Sequence, residues 1–338
     1  MSVSRRNILR GGAGVASAAL LPSALGNIAL AAQKEVTAQH LTAPAGIGEY
    51  EWGLGIDRLL KKHSNWFRTR SQPTQGYIFN LKTVIDSPDR DKIIFNTDYI
   101  SPDKARKKDK PFTDGLKGLE VRGLMNCIWP LWFLMTKDPN IKSVADIAGK
   151  NVALGAKAGT ATVMAAEALK AAGMHDKVDL QYLSFRDIPA GLIDGTIDVG
   201  LMLLWYNAAS NKISTTAMVV NVAATKQGFH YLKWPEGVLQ KTKNERGIHI
   251  KILDVPNGSL PLQTEDLEMY VNPDFVGVSK DFPEEWAYEY VKHVVGNLSE
   301  INAAGGLGVL FTPEFLPFGI EDNLHPGARR AYKEAGLL

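Results

Sequence analysis

The loop Gly155–Thr160 (GAKAGT) has the residue types and the spacing of an anion-binding turn. It stands between a predicted strand, Lys150–Leu154, and a strong predicted helix, Ala161–Ala172. Backbone N–H groups at a helix N-terminus are unpaired and point outward, and the helix dipole adds positive potential there. Because glycines let an anion approach the backbone closely, this loop is suited to a carboxylate or a phosphate.

Three side chains would add to such a site. Thr160 and Thr162 supply hydroxyl donors, and Lys157 supplies a positive charge. The loop is not a P-loop, because Gly159 is followed by Thr160 and Ala161, and it is not a G-x-G-x-x-G motif. The alternative is an ordinary helix N-terminus capped by Thr160, and the spacing alone favours neither interpretation.

Two further turns, Gly46–Tyr50 and Gln75–Tyr77, also lie between a predicted strand and a predicted helix. Since α/β sheets bind ligands at the C-terminal ends of their strands, three such turns facing one cleft would hold a small ligand from several sides. Aromatic side chains with polar tips would form its walls, namely Tyr50, Tyr77, Trp205 and Tyr206. Each of these four, taken singly, is more typical of plain packing.

Residue arrangements typical of enzymes are missing from the sequence. The seven histidines show no i, i+4 pair and no H-E-x-x-H, and there is no G-x-S-x-G. The one cysteine, Cys127, excludes an intramolecular disulfide, Cys-ligated iron–sulfur clusters and c-type haem. It lies in the apolar run Leu124–Met135, where we expect a buried core residue. The sequence therefore predicts no catalytic activity, no metal and no cofactor.

The elements that must position these turns alternate between strands and helices, which predicts an α/β fold with a parallel sheet. The clearest predicted strands, apart from the one before the glycine loop, are Val36–Pro44, Trp66–Ser71, Lys92–Thr97, Val178–Tyr182 and Asp198–Leu204. The clearest further helices are Glu51–His63, Tyr77–Ile85, Asp187–Gly195, Pro283–Leu298 and Ala328–Gly336.

Five other segments complete the organisation. Leu119–Lys137 predicts two strands that enter a second lobe, and Glu268–Val278, interrupted by a proline, predicts extended chain that returns to the first. Ser101–Thr113 is charged and contains proline, so it predicts a solvated loop. We expect a strand at Met218–Val222 and mostly loop over Gln227–Gln263.

The first 31 residues have the features of an export signal. Ser4–Arg10 contains paired arginines, an apolar Gly/Ala-rich stretch follows, and Ala29–Ala31 is an A-x-A cleavage pattern. The paired arginines favour the twin-arginine route, and cleavage is predicted between Ala31 and Ala32. The alternative, a transmembrane anchor, is disfavoured by the glycines and proline within the apolar stretch.

Removal of this segment changes the charge balance of the chain. It takes away three of the 38 basic residues and none of the 36 acidic ones, which leaves 35 against 36 and a net charge of −1. Such a nearly neutral surface argues against nucleic acid or an anionic membrane as the main partner. The remaining length, about 300 residues, exceeds one comfortable core, so we expect two lobes.

Several segments carry a resemblance to a known family: Ile141–Gly155 (IKSVADIAGKNVALG), Gly159-Thr160, Leu183–Phe185 (LSF), Asp194–Asp198 (DGTID), Leu324–Ala328 (LHPGA) and Glu334–Gly336 (EAG). The first resembles a block common to periplasmic binding proteins. The others are similar to the TAXI family, the solute-binding subunits of tripartite ATP-independent periplasmic (TRAP) transporters.

The resemblance implies a two-lobed periplasmic binding protein of type II, a Venus flytrap with hinge strands. Lobe I would comprise residues 32–128 plus 266–338, and lobe II residues 129–265. It also implies a small organic anion as ligand, such as glutamate, 2-oxoglutarate or a related carboxylate, TRAP membrane subunits as partners, and a periplasmic location. The alternatives are a binding protein of an ABC transporter, a periplasmic sensor with the same fold, or an exported enzyme on this scaffold.

The resemblance further implies a set of ligand-binding residues, carried over by position. This set is Gly48, Tyr50, Gln75, Gly76, Tyr77, Asn80, Lys157, Gly159, Thr160, Thr162, Trp205 and Tyr206. The sequence departs from the family at Tyr77, where serine is usual, and at Trp205-Tyr206, where small residues and proline are usual. These departures favour an acid that is smaller or bulkier than glutamate.

Overall fold

The computed structural model describes residues 34–45, 48–127, 129–157, 159–305 and 311–338. The predicted export signal, residues 1–31, lies outside the described residues, as do Gly46 and Ile47 of one predicted turn and Ala158 of another. Residues Glu35–Leu338 form one unit by their internal contacts. Within the described ranges, no helix combines the length and the apolar composition needed to cross a membrane.

Strands and helices alternate through most of the chain. The first part contains β1 (Val36–Leu41), α1 (Gly48–His63), β2 (Phe67–Gln72), α2 (Tyr77–Asp86), β3 (Ile93–Asp98), α3 (Ile100–Arg106) and β4 (Val121–Asn126). The middle contains β5 (Trp129–Thr136), β6 (Asn151–Leu154), α4 (Thr160–Ala171), β7 (Asp179–Tyr182), α5 (Ile188–Asp194), β8 (Val199–Asn207), β9 (Lys212–Ser214), α6 (Ala217–Ala224), β10 (His230–Tyr231), α7 (Val238–Asn244), β11 (Lys251–Val255) and β12 (Leu267–Val271). The last part contains β13 (Asp274–Ser279), α8 (Glu284–Gly296), α9 (Leu298–Gly305) and α10 (Pro326–Glu334).

These strands form two sheets, which confirms the α/β class. The first sheet has the order β2-β1-β3-β13-β4, and the second has the order β11-β12-β5-β8-β6-β7, with β10 paired to β5 and β9 to β8. The chain passes from the first sheet to the second between β4 and β5 and returns between β12 and β13. The two crossing segments touch, because the Asn272 N–H donates to the Pro130 carbonyl at 3.3 Å.

The sheets are mixed, so the prediction of a parallel sheet is wrong for seven of the eleven pairings between the described strands. β1 runs parallel to β2 and β3, and β6 runs parallel to β7 and β8. β13 is antiparallel to β3 and β4, and β5 is antiparallel to β8 and β12. The physical reason is that parallel neighbours need a crossover connection, whereas β13 arrives directly from the other sheet.

Each sheet is covered on both faces. In β3, Ile94 packs into the core with α1 and the C-terminal helices, while Ile93 and Phe95 pack into a separate core with α2. Every residue of β3 and of β5 is buried. This explains why neither strand alternates between apolar and polar residues.

Two predicted segments have a different local structure. Ser101–Thr113 begins as helix α3, not as a loop, because Pro102 falls in the first turn, where the missing N–H has no intrahelical partner to lose. Met218–Val222 is part of helix α6, not a strand. The strand prediction was wrong because it relied on the β-branched residues of this segment. In the structure, Thr216 caps the helix by accepting a hydrogen bond from the Val219 N–H.

The segment Gln227–Gln263, predicted to be mostly loop, contains β10, α7 and β11. These elements are short and depend on tertiary contacts. His230 and Tyr231 pair with β5, and β11 pairs along its length with β12. The remaining predicted elements are confirmed with shifted ends, and Cys127 is buried as expected.

Candidate functional site

Three buried carboxyl groups and one tyrosine hydroxyl meet at one edge of the first sheet. Glu49 lies in the first turn of α1, Tyr77 begins α2, Asp98 ends β3 and Asp274 begins β13. Because β1 and β3 are parallel, their carboxyl ends share an edge, and antiparallel β13 starts at that same edge. Asp98 and Asp274 are direct register partners. We call Glu49, Asp98 and Asp274 the acidic cluster.

Tyr77 connects two members of the acidic cluster. Its hydroxyl oxygen lies 2.5 Å from Glu49 Oε1 and 2.9 Å from Asp274 Oδ2. The Asn272 side-chain amide donates to Asp274 Oδ1. A phenol has one proton to donate, so both Tyr77 contacts are hydrogen bonds only when one of the two carboxyls carries a proton.

Burial sets the proton affinity of the cluster. It raises the pKa of Glu49 to about 7, against the opposing effect of the Tyr77 hydrogen bond. Burial, followed by the charges of Glu49 and Asp98, raises the pKa of Asp274 well above its usual range. Burial also raises the pKa of Asp98, although the Ser101 N–H donates to its Oδ1 at 2.7 Å. The cluster therefore holds protons more tightly than exposed carboxyls do.

The nearby histidine adds no positive charge. His40 is fully buried, and its Nε2 lies 3.0 Å from Asn96 Oδ1. Burial lowers the pKa of His40, so the imidazole is neutral near pH 7. Asn96 in turn lies close enough to Glu49 to lower the pKa of that carboxyl.

The glycine loop of the second sheet leads into α4. Gly159 is the N-cap, so the alternative interpretation, with Thr160 as cap, is wrong. Thr160 and Thr162 are 5 % and 2 % exposed, and within the described residues neither hydroxyl has a hydrogen-bond partner. Thr162 Oγ1 lies 3.0 Å from the position of a Cβ on Gly155, so glycine there leaves room for the hydroxyl.

The α4 turn faces the acidic cluster. The Thr160 hydroxyl lies close enough to Asp98 to lower the pKa of its carboxyl, without forming a hydrogen bond of standard geometry. Two residues that the sequence singled out separately, Tyr77 and Thr160, are thus placed around the same group of carboxyls. Tyr77 begins α2, which belongs with the first sheet, and Thr160 begins α4, which belongs with the second sheet.

The remaining predicted residues of the first sheet are placed around α1 and α2. Gly48 is the first residue of α1. Tyr50, the residue after Glu49, is half-buried. Gly76 is the N-cap of α2 with φ of 109°, a conformation that favours glycine. Gln75, next to it, is exposed.

Asn80 has a packing role in addition to any contact with a ligand. It is fully buried, and its amide nitrogen donates to the carbonyls of Thr42 and Asn96 at 2.8 and 2.9 Å. These bonds tie α2 to the ends of β1 and β3. Asn80 therefore supports the turns that surround the acidic cluster.

The predicted residues of the second sheet do not all lie together. Lys157 is exposed, with its Nζ 5.5 Å from the centre of the Tyr182 ring. Trp205 and Tyr206 are neighbours on β8, so their side chains point to opposite faces of the sheet. The Tyr206 hydroxyl donates to Asn211 Oδ1 at 2.8 Å. A single ligand cannot contact both aromatic side chains from one face.

Sequence analysis missed all three members of the acidic cluster. Glu49 lies inside the predicted turn Gly46–Tyr50, and Asp98 follows the predicted strand Lys92–Thr97 directly. Asp274 follows Pro273, where the extended chain is interrupted. The available signal was the position of a carboxylate directly after a strand or at the start of a helix.

A separate open cleft of about 720 Å³ lies beside this region. Its lining includes Tyr99, which follows β3, Trp129 and Pro273 beside the crossing segments, and several polar side chains, namely Asp103, Lys107, Lys243, His249 and Lys251. The Lys107 Nζ pairs with Asp103 at 2.7 Å. None of the predicted ligand-binding residues lines this cleft.

Comparison with known proteins gives one family and several distant structures. A model of the NMT1-like family matches residues 41–336. The periplasmic aliphatic sulphonate binding protein SsuA from Escherichia coli is 14 % identical, with a TM-score of 0.43 over 89 % of this chain and 91 % of that one. A TctC solute binding protein from Polaromonas is 13 % identical, with a TM-score of 0.45 over 89 % and 98 %. A putative L-cystine ABC transporter protein from Listeria monocytogenes is 13 % identical, with a TM-score of 0.44 over 82 % and 98 %.

Proposed function

The chain belongs to the NMT1-like family, and we propose that it is a periplasmic solute-binding protein that captures a small organic anion for a membrane transporter. The observation that carries the proposal is a pair of buried threonine hydroxyls in the first turn of α4, Thr160 and Thr162, which have no hydrogen-bond partner among the residues that the structure describes. A carboxylate there accepts from both hydroxyls and from backbone N–H groups, and the helix dipole favours its charge.

Binding uses two lobes that close on the solute. Lobe I comprises residues 32–128 plus 266–338, and lobe II residues 129–265. Support for this division comes from the sheets: the described strands of the first sheet all fall within lobe I, and those of the second fall within lobe II apart from β12 (Leu267–Val271), which lies just past the boundary at residue 265. The segments near Pro130 and Asn272, which join the sheets, act as the hinge. Closure brings the α4 turn of lobe II against lobe I, and no covalent chemistry is required.

The transporter is of the TRAP type, and the resemblance of Ile141–Gly155, Asp194–Asp198 and Leu324–Ala328 to TAXI proteins supports this assignment. The alternative is an ABC transporter or a sensor. Reconstituted uptake with the membrane subunits encoded beside this gene separates them, because TRAP-driven uptake needs no ATP.

Export is through the twin-arginine signal, with cleavage between Ala31 and Ala32. N-terminal sequencing of the exported protein tests the cleavage site.

The ligand and its site are tested together. Native mass spectrometry of freshly purified protein identifies a co-purified acid, and calorimetry then measures its affinity for variants. Thr160→Val and Thr162→Val each remove one donor to a desolvated carboxylate, which costs about 1–3 kcal/mol of binding free energy. Thr83→Val, on the outer part of α2, is the matched control and leaves affinity unchanged. Wild-type affinity in both α4 variants would remove this turn from the site.

A further inference from the structure

We propose that the basic side chains beside the open cleft form a docking surface for an acidic segment of the membrane partner. These side chains belong to residues 101–113, which contain α3, and to residues 238–251, which contain α7 and the first residue of β11. We call them the basic patch. The identity of the partner rests on the proposed function, but the charge and the shape of the patch do not.

Positive charge is concentrated in these two segments. Together they contain nine basic and three acidic residues, a net charge of +6. Residues 32–338 contain 35 basic and 36 acidic residues, so the rest of that range has 26 against 33 and a net charge of −7. The patch is therefore a local positive field on an otherwise acidic chain, and it attracts anionic groups and steers their approach.

Most of the charges in the basic patch are available to a partner. Eight of the nine basic residues are exposed, and Lys104 is half-buried. Lys107 pairs with Asp103 at 2.7 Å, and Arg246 pairs with Glu167. The other seven form no ion pair with any residue that the structure describes. An acidic partner therefore pairs with them without first breaking contacts inside the protein.

The two halves of the basic patch meet across the cleft. His249, which precedes β11 of the second sheet, has its Nε2 3.5 Å from Asp103 Oδ2 on α3. The Lys107 Nζ lies 3.6 Å from the position of a Cβ on Gly247. An occupant of the cleft therefore contacts elements that belong with both sheets, and it favours the arrangement of the sheets that brings the two halves together.

The shape of the cleft favours a protein segment over a bilayer surface. The volume is about 720 Å³, and the lining includes Tyr99, Trp129 and Pro273. A projecting chain segment enters such a concavity, with acidic side chains toward Lys107 and Lys243 and apolar ones toward the aromatic rings. A flat anionic bilayer contacts only the rim of the cleft, and it repels the acidic remainder of the chain.

Fluorescence anisotropy with a labelled octaglutamate peptide tests the patch on the full mature protein, at low and at high salt. Lys107→Glu and Lys243→Glu each reverse one charge, on opposite sides of the cleft. The matched control is Lys61→Glu, at an exposed lysine of α1 that forms no ion pair within the described ranges. It lies about 20 Å along the helix from Gly48 and the acidic cluster. Phosphatidylglycerol vesicles are the second probe.

We expect the peptide to bind the wild type at low salt and to dissociate at high salt. Its affinity should fall roughly three- to tenfold in Lys107→Glu and in Lys243→Glu, and stay unchanged in Lys61→Glu. Equal affinity in all three variants overturns the patch, and so does binding of the vesicles without binding of the peptide. A loss in only one of the two patch variants overturns docking across the cleft.

Uptake into proteoliposomes that contain the membrane subunits identifies the partner. Lys107→Glu and Lys243→Glu should slow uptake by a factor similar to their loss of peptide affinity, while calorimetry gives wild-type affinity for the acid found by native mass spectrometry. Wild-type uptake by both variants overturns the assignment of the acidic segment to the membrane partner. Failure of the proposed function looks different, because the wild type then binds no acid while its affinity for the peptide is unaffected.

Discussion

The Tyr77 hydroxyl lies 2.5 Å from Glu49 Oε1 and so joins the first residue of α2 to the first turn of α1. The same oxygen lies 2.9 Å from Asp274 Oδ2, at the start of the strand that returns from the second sheet. One phenol thus connects three segments that are far apart in sequence. Its loss leaves buried carboxyl oxygens without a donor.

Tyr77→Phe is expected to lower the free energy of unfolding by about 1–3 kcal/mol at pH 8, because it removes the donor to a buried carboxylate. At pH 5 the loss is smaller, since a protonated carboxyl can donate to its neighbour. Chemical denaturation at both pH values measures this. The control is Tyr50→Phe, at a half-buried tyrosine on α1. Equal losses at both pH values would contradict a role for the phenol proton.

Glu49 makes the stability of the protein depend on pH. Its pKa is about 7 in the folded protein and 4.5 without the protein environment. Between these values the folded state keeps a proton that the unfolded chain has released, so stability falls as pH rises from about 4.5 to about 7. The contribution is at most about 3 kcal/mol. Asp274 acts in the same direction.

Glu49→Gln should therefore flatten, without abolishing, the decline of unfolding free energy between pH 4.5 and 7. Urea denaturation at intervals across this range measures the slope. Glu51→Gln, at an exposed position on the same helix, should keep the wild-type slope. A wild-type slope in Glu49→Gln would show that Glu49 ionises normally.

Gly155→Ala should disturb the α4 turn. A Cβ at this position would lie 2.5 Å from the Phe185 ring and 3.0 Å from Thr162 Oγ1. Overpacking of this kind costs about 1–3 kcal/mol. Gly296→Ala, at the end of α8 with nothing within 4 Å of the added carbon, is the control and should be neutral or slightly stabilising. Thermal denaturation of both variants tests this, and equal melting temperatures would contradict it.

Gly327→Ala should be more damaging than Gly155→Ala. The added Cβ would overlap the Glu284 carbonyl oxygen, and it would lie 2.9 Å from the Tyr288 nitrogen. These are backbone atoms of α8, which cannot rotate away as the Phe185 ring can. We expect a loss of about 3 kcal/mol or more, measured by denaturation of both variants. A milder effect than that of Gly155→Ala would mean that α10 shifts readily on α8.

The sequence predicted most of the elements and singled out part of the candidate site, whose binding role stays a prediction. Apolar residues at helical spacing located α1, a composition rich in helix formers located α4, and apolar segments located β3 and β5. The segment of helix α6 was predicted to be a strand because its valines favour strands, and only the N-cap Thr216 indicates a helix. Thr160 and Thr162 were found because helix N-terminal chemistry is local. Glu49, Asp98 and Asp274 were missed because no local rule distinguishes a buried carboxylate from a solvated one.

The sequence by itself determined the α/β class, the glycine turn before α4 and the absence of common catalytic motifs, because each depends on residues close together in the chain. Only the tertiary structure decided that Tyr77 lies between Glu49 and Asp274, and that Asp98 faces Thr160. Those contacts depend on the return of β13 to the first sheet beside β3. Burial at that edge is what raises the pKa of the carboxyls, and burial is a property of the whole fold.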